Sequence, residues 1–170
     1  PIFWLASEDH DFDEISSVNV SNQKIKWEFD SENISVGKII LNDFKEVSDA
    51  YKTNITDSDF KSELEKLIDQ SYNDGNSLSF STLKFINSLF GHLGLIVIDS
   101  DVKVFKKLFI ENFKNEIIDS RCKVDTENQI TKIKKKIQSY KPQVNPSEIN
   151  FFKITSNGRK RIRRKNKQIL

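Results

Sequence analysis

Two short apolar runs that both end in carboxylates constrain this chain more than any other feature. Ile2-Phe3-Trp4-Leu5-Ala6 leads through Ser7 into Glu8-Asp9-His10-Asp11-Phe12-Asp13-Glu14, and Leu95-Ile96-Val97-Ile98 leads into Asp99-Ser100-Asp101. A continuous apolar run of this length suits a strand buried on both faces of a parallel sheet. In open α/β sheets, ligands bind in the crevice beyond the carboxyl ends of such strands. The pattern therefore predicts a parallel α/β core with an acidic cluster at its strand ends.

The sequence between and after these runs supports layering. Gln23 to Phe29 alternates Ile25, Trp27 and Phe29 with polar residues, as a half-buried strand does. Val36 to Leu41 is a shorter second candidate, and the polar "DSEN" at 30–33 reads as the turn of a β-hairpin. Thr56 and Asp59 have the spacing of a capping box, predicting a helix from Thr56 with Phe60, Leu64, Leu67, Ile68 and Tyr72 on one face. A second helix is predicted from Ser79 to Phe90, closed by Gly91 and Gly94. A third runs from Asp101 to Asp119 with Val104, Phe105, Leu108, Phe109, Phe113 and Ile117 inward. Helix, strand and helix in that order belong to an α/β domain. In the lysine-rich stretch from Lys123 to Tyr140, Ile130, Ile133, Ile137 and Tyr140 recur as a two-heptad coiled-coil seam. The same spacing also describes a surface helix with a narrow apolar stripe. Pro142 and Pro146 mark an extended connection, and "INFFKIT" and "RKRIRRKNK" read as strands around the turn "SNGR".

The chain of 170 residues can bury a core of its own. No run approaches the roughly 18 apolar residues of a membrane span. A single cysteine, Cys122, excludes an intrachain disulfide and a multi-cysteine zinc site. The default expectation is a cytoplasmic protein that needs no membrane. The sequence opens on Pro1 and holds no methionine, so it reads as an internal fragment of a longer protein. Its charge is divided: 8 Lys/Arg against 18 Asp/Glu in residues 1–100, and 19 against 7 in residues 101–170. An acidic front and a basic back each suggest a different kind of partner.

His10 lies between Asp9 and Asp11, with Glu8, Asp13 and Glu14 close in sequence. Carboxylates beside an imidazole favour its protonated form, which suits proton transfer near neutral pH or capture of an amine. The competing reading is an acidic helix N-terminus stabilised by the helix dipole. His10 has no second histidine at ligand spacing, so no metal is expected. Asp99 and Asp101 are candidates for ligand contact, but Asp99 or Ser100 as the N-cap of the following helix is the favoured reading. His92, between two glycines, reads as a helix-end feature, and Cys122, with no base nearby in sequence, as a poor nucleophile. The tail "GRKRIRRKNK" puts seven cations in ten residues. Without interleaved aromatics for base stacking, a solvated basic strand edge is the favoured reading and nucleic acid the lesser one.

Three stretches together resemble one family. "PIFWLASEDHDFDEI" resembles the segment of the bacillithiol biosynthesis cysteine-adding enzymes in which a proline-led strand runs into E-D-H-D-F-x-E-I. "LFGHLGLIVIDSD" is similar to their L-F-G-x-Y-G-L-V-x-x-D-x-D, with Leu93 in place of tyrosine. "YKPQVNPSEINFF" is similar to Q-V-N-P-R-E-I-N-L-F, with Ser147 in place of arginine. The resemblance implies a ligase that joins L-cysteine through an amide bond to the amine of glucosaminyl-malate. It implies a partial Rossmann-like core, similar to class I nucleotidyltransferases, over residues 1–122 with a β-hairpin insertion. The start of a helical coiled coil would occupy 123–141, and an extended connection with a β-hairpin 142–170. It further implies a homodimer at full length and ATP or ADP as the cofactor, although no phosphate loop is visible. His10, Asp11 and Glu8 are then expected to be catalytic. Asp9, Asp13, Glu14, Asp99, Asp101 and Asn145 are expected to bind substrate. The family's G-H-Q and G-P-L-Y region does not occur in this sequence, so the fragment alone is expected to be inactive. The competing class is a non-catalytic α/β module with an acidic face and a basic tail that binds protein or nucleic acid.

Overall fold

The structure, a computed structural model, describes residues 1–30, 34–155, 158–165 and 168–169. The chain divides into two compact units, Pro1–Val102 and Lys103–Leu170.

In the first unit the two acid-tipped runs do form strands, β1 (Ile2–Leu5) and β4 (Ile96–Asp99), paired in parallel with Leu5 opposite Asp99. Burial on both faces is not observed: Ile2, Trp4 and Ile96 are each more than half exposed. Among the described residues this sheet has two strands, too few to be covered on both faces as parallel sheets usually are. A short helix α1 (Phe12–Ile15) follows β1.

The hairpin sits elsewhere than expected. It joins β2 (Ser17–Val20) to β3 (Gln23–Lys26) around Ser21, whose φ is +55°. Val36–Lys38 is instead a 3-10 turn. Its amides are committed to the loop after β1: Val36 N–H donates to the Asp9 carbonyl at 2.7 Å and Gly37 N–H to the Ser7 carbonyl at 2.9 Å. They cannot also ladder with β3. The predicted turn at 30–33 falls largely on residues 31–33, outside the described residues.

Three helices follow, α2 (Phe44–Asn54), α3 (Lys61–Ser71) and α4 (Leu78–Phe90). The first has no counterpart in the sequence reading. The expected start of α3 at Thr56 is not observed, and Thr56 and Asp59 form no capping box. A tight turn from the Ser58 carbonyl to Lys61 N–H precedes the helix, and Phe60 stays 73% exposed. For α4 the expectation holds, with Ser77 Oγ accepting Phe80 N–H as a side-chain N-cap. Gly94, at φ +85°, makes the turn into β4.

Phe12, Trp27, Val36, Ile39 and Leu41 form the buried core, with Phe44, Val47, Tyr72 and Leu78 packed on it. Trp27 meets Phe12 edge-on at 5.2 Å and Phe44 at 5.0 Å, and Phe44 stacks on Tyr72 at 5.5 Å. Such pairs contribute about 0.5–1.5 kcal/mol each beyond their buried area. The core thus holds α1, β3 and the 3-10 turn together directly behind the acidic loop.

The second unit begins with α5 (Lys103–Leu108) and α6 (Ile110–Asp119), where one helix from Asp101 was expected. The break lies at Phe109, with φ −97° and ψ 8°, a conformation that ends an α-helix. Of the expected inner face, Val104 and Leu108 are exposed, while Phe113 meets the Phe151 ring edge-on at 5.3 Å. Next comes α7 (Arg121–Lys136). Ile130, Ile133 and Tyr140, three members of the isoleucine seam, line one cavity with Pro142 and Val144. Then β5 (Phe152–Thr155) and β6 (Gly158–Arg161) pair antiparallel, as the tail predicted, followed by β7 (Arg164–Lys165) and β8 (Gln168–Ile169). Two turn residues of "SNGR", 156 and 157, lie outside the described residues.

Candidate active site

Because Leu5 faces Asp99 in register, the residues just past the two strands converge. Ser7 and Ser100 are both buried there and lie 3.4 Å apart, hydroxyl to hydroxyl. Ser7 Oγ donates to Asp99 Oδ1 and accepts Asp101 N–H at 3.1 Å. The single Ser100 Oγ–H lies within reach of two acceptors, the Leu5 carbonyl at 2.8 Å and the Glu8 carboxylate, and is shared between them. Two serines therefore tie Glu8, Asp99 and Asp101 into one cluster. Asp99 Oδ1 also accepts Asp101 N–H at 2.9 Å, so the side chain shapes its own turn, as short acidic residues do.

Lys38 Nζ reaches Asp101 Oδ2 at 2.8 Å, and Asp101 is largely buried. Lys38 comes from the 3-10 turn, which Gly37 lets approach. A Cβ on Gly37 would stand 2.4 Å from Ser7 Cβ, closer than any real side chain allows. Asp9 sits on the same loop and is held below the ordinary carboxylate range. The His10 backbone N–H at 2.7 Å is the largest cause, followed by the His10 ring at 3.2 Å. In the neutral tautomer that donates Nδ1–H to Asp9, the other ring nitrogen, Nε2, is left with the lone pair.

The remaining residues expected from sequence are distributed differently. Asp11 occupies the N-cap position of α1 without a side-chain cap bond, and Asp13 and Glu14 lie in its first turn, exposed. Asn145 is exposed in the extended segment of the second unit. As site residues Ser7, Ser100, Lys38 and Gly37 were missed, and Ser100 was read only as a candidate helix cap. The two serines had a signal, since each follows an apolar strand directly, but only the register of β1 with β4 shows that they meet.

A cavity of about 450 Å³ shares Ser7 and Gly37 with the cluster and is otherwise lined mainly by apolar groups such as Ile15, Val18, Trp27 and Phe44. Among the described residues, no three His, Cys, Asp or Glu side chains converge as metal ligands would. Nor is any helix of the described residues long and apolar enough to cross a membrane. Carboxylates with a hydroxyl pair, one lysine and an imidazole can hold an ammonium group and remove its proton.

Comparison with known proteins identifies the family. Residues 1–169 match the family model described as "Bacillithiol biosynthesis BshC, N-terminal Rossmann-like domain". Proteins named "Putative cysteine ligase BshC" are similar to the chain. Those from Flavobacterium psychrophilum and Christiangramia forsetii are 35% and 32% identical over 95% of it. One from Cytophaga hutchinsonii is 29% identical over 100% of it. The chain spans 30% of the length of each of these relatives. No solved structure matches it. With an α/β fold, strand-end carboxylates and a match along nearly its whole length, the chain belongs to the BshC family of bacillithiol biosynthesis, within its N-terminal Rossmann-like domain.

Proposed function

We propose that this chain carries the amine-handling part of a cysteine ligase, which joins L-cysteine through an amide bond to the amine of glucosaminyl-malate. One observation carries the reading: Glu8, Asp99 and Asp101 converge through Ser7 and Ser100 on the loop that also holds the Asp9–His10 pair. An amine arrives protonated at neutral pH and is not a nucleophile until it loses a proton. The carboxylates attract the ammonium group, and His10 Nε2 accepts its proton. The freed lone pair attacks the carbonyl carbon of an activated cysteinyl group. As the C–N bond forms, the bond to the leaving group breaks, and that group departs with its electron pair and takes up the second proton that the nitrogen loses. Asp9 orients the imidazole and stabilises the imidazolium so produced.

A nucleotide does not fit these residues. Glu8, Asp9, Asp99 and Asp101 would repel a polyphosphate, and Lys38 is already paired with Asp101. Activation of the cysteine carboxyl is therefore assigned to other groups, and no step here passes through ATP or ADP. Homodimerisation of the full-length enzyme and action in the cytoplasm accompany this proposal.

The test is ligation by the full-length enzyme, followed by mass spectrometry of the thiol product. His10→Gln is expected to lower kcat about 10²–10⁴-fold, the usual worth of a positioned acid or base. Asp99→Asn is expected to raise KM for the amine substrate. Normal ligation by both variants would remove the assignment.

A further inference from the structure

The basic tail acquires in the fold the aromatic partner that its own sequence lacks. Strand register places Phe152 opposite Arg161 and Ile154 opposite Arg159 on one face of the β5–β6 ribbon. There the Arg159 guanidinium lies 3.7 Å from the centroid of the Phe152 ring, and that of Arg161 lies 4.9 Å away. On the opposite face Lys153 stands directly across from Lys160. Like charges directly opposite destabilise a strand pair, so this ribbon carries a standing repulsion that an anion would relieve. Residues 149–165 contain no Asp or Glu. Arg164 is engaged, donating to the Ile118 carbonyl at 2.9 Å and pairing with Glu148 at 3.7 Å. Among the described residues, Lys153, Arg159, Lys160, Arg161 and Arg163 have no carboxylate partner, and all five are exposed.

We infer that the β5–β6 ribbon is a nucleic-acid-binding surface. Its lysines and Arg163 contact backbone phosphates, and the guanidinium planes held by Phe152 offer faces on which a base can stack. A two-stranded ribbon is also narrow enough to enter the major groove of a duplex. The five cations are spread over both faces of the ribbon, which suits an extended polyanion better than a single small dianion. An anionic lipid surface fits less well, because such binders bury bulky apolar side chains, and here Phe152 is half-buried beside the guanidiniums. This surface is separate from the ligase reading and does not depend on it.

The experiment uses the full-length protein and follows the anisotropy of a fluorescent DNA duplex and of a fluorescent RNA hairpin as salt is raised. Three phosphate contacts, from Lys153, Lys160 and Arg163, give a slope of log K against log salt of about −3 on the duplex. Combining Lys153→Gln, Lys160→Gln and Arg163→Gln should remove about 3 from that slope. Where that variant fails to fold, Lys160→Gln alone should remove about 1. Arg159→Lys with Arg161→Lys should keep the slope and weaken binding several-fold, because charge remains and the planar groups are lost. Binding to neither nucleic acid at low salt would overturn the inference. So would a slope unchanged by the glutamine variants, or binding confined to phosphatidylserine vesicles.

Discussion

Gly37 lies against Ser7 with no room for a side chain: a Cβ added to Gly37 would stand 2.4 Å from Ser7 Cβ and 2.7 Å from the Ser7 carbonyl oxygen. That contact positions both Lys38 and the Ser7 hydroxyl, which together secure Asp101. Gly37→Ala is therefore expected to push the 3-10 turn off the strand-end loop. Overpacking of this kind costs about 1–3 kcal/mol, read as a lowered midpoint in urea unfolding. A stability unchanged within error would show that the loop yields freely and that the contact positions nothing.

The core makes a sharper distinction between the two tryptophans. Trp27 is 7% exposed and touches three aromatic rings, whereas Trp4 is 54% exposed on β1. Trp27→Ala should destabilise this chain by about 3–5 kcal/mol, the usual range for deleting a buried aromatic. Trp4→Ala should stay within about 1 kcal/mol, because most of its ring already meets water. Equal effects in denaturant titrations would mean that β1 is covered in solution.

These residues also show how far the sequence was legible. Both acid-tipped strands, α4 and the β5–β6 pair could be read directly, because each is specified by local pattern: continuous apolar runs, apolar residues at helical spacing, a turn glycine. The β2–β3 hairpin was misplaced because Val36–Lys38 has the composition of a strand. What settles its conformation is the pair of carbonyls on Ser7 and Asp9, far away in sequence. Ser7 and Ser100 were passed over for the same reason. Neither residue type signals a site, and their meeting depends on the register of strands more than 90 positions apart. The family resemblance supplied the reaction, while the clustering of Glu8, Asp99 and Asp101 needed coordinates.

Glu116 provides a pH-dependent prediction in the second unit. It is 4% exposed, and its carboxylate accepts Cys122 N–H at 2.7 Å and Asn150 N–H at 2.8 Å, tying α6 to the start of α7 and to the segment before β5. Burial pushes its pKa up, but hydrogen bonds from Cys122 and Asn150 outweigh it, leaving the group below its ordinary 4.5. A depressed folded pKa means that the unfolded chain takes up the proton first on acidification. The stabilisation is therefore complete above about pH 4.5 and is lost as pH falls through the folded value. Glu116→Gln should cost about 1.5–3 kcal/mol at pH 7, the scale of hydrogen bonds to a charged group. In urea titrations the gap between the two proteins should narrow as the pH is lowered below 4.5. A gap independent of pH would show that the charge of Glu116 contributes nothing.

The same carboxylate controls the single thiol. Cys122 is exposed, yet its pKa is raised, first by its side-chain hydrogen bond to Glu116, then by burial and by the negative charges of Glu116 and Asp125. A raised thiol pKa leaves less thiolate at a given pH, and the thiolate is the reactive form. Iodoacetamide should therefore alkylate Cys122 more slowly at pH 8 than it alkylates an unstructured cysteine peptide. Glu116→Gln removes both the strongest acceptor and the nearest negative charge, so the labelling rate should rise. Because the variant also loosens the junction between α6 and α7, Asp125→Asn is the control. Asp125 acts on the thiol through charge and pairs with Arg121 on the surface of α7 at 2.8 Å. A modest acceleration in Asp125→Asn with unchanged unfolding would confirm electrostatic control of the thiol. Labelling at the peptide's rate in the parent chain would rule it out.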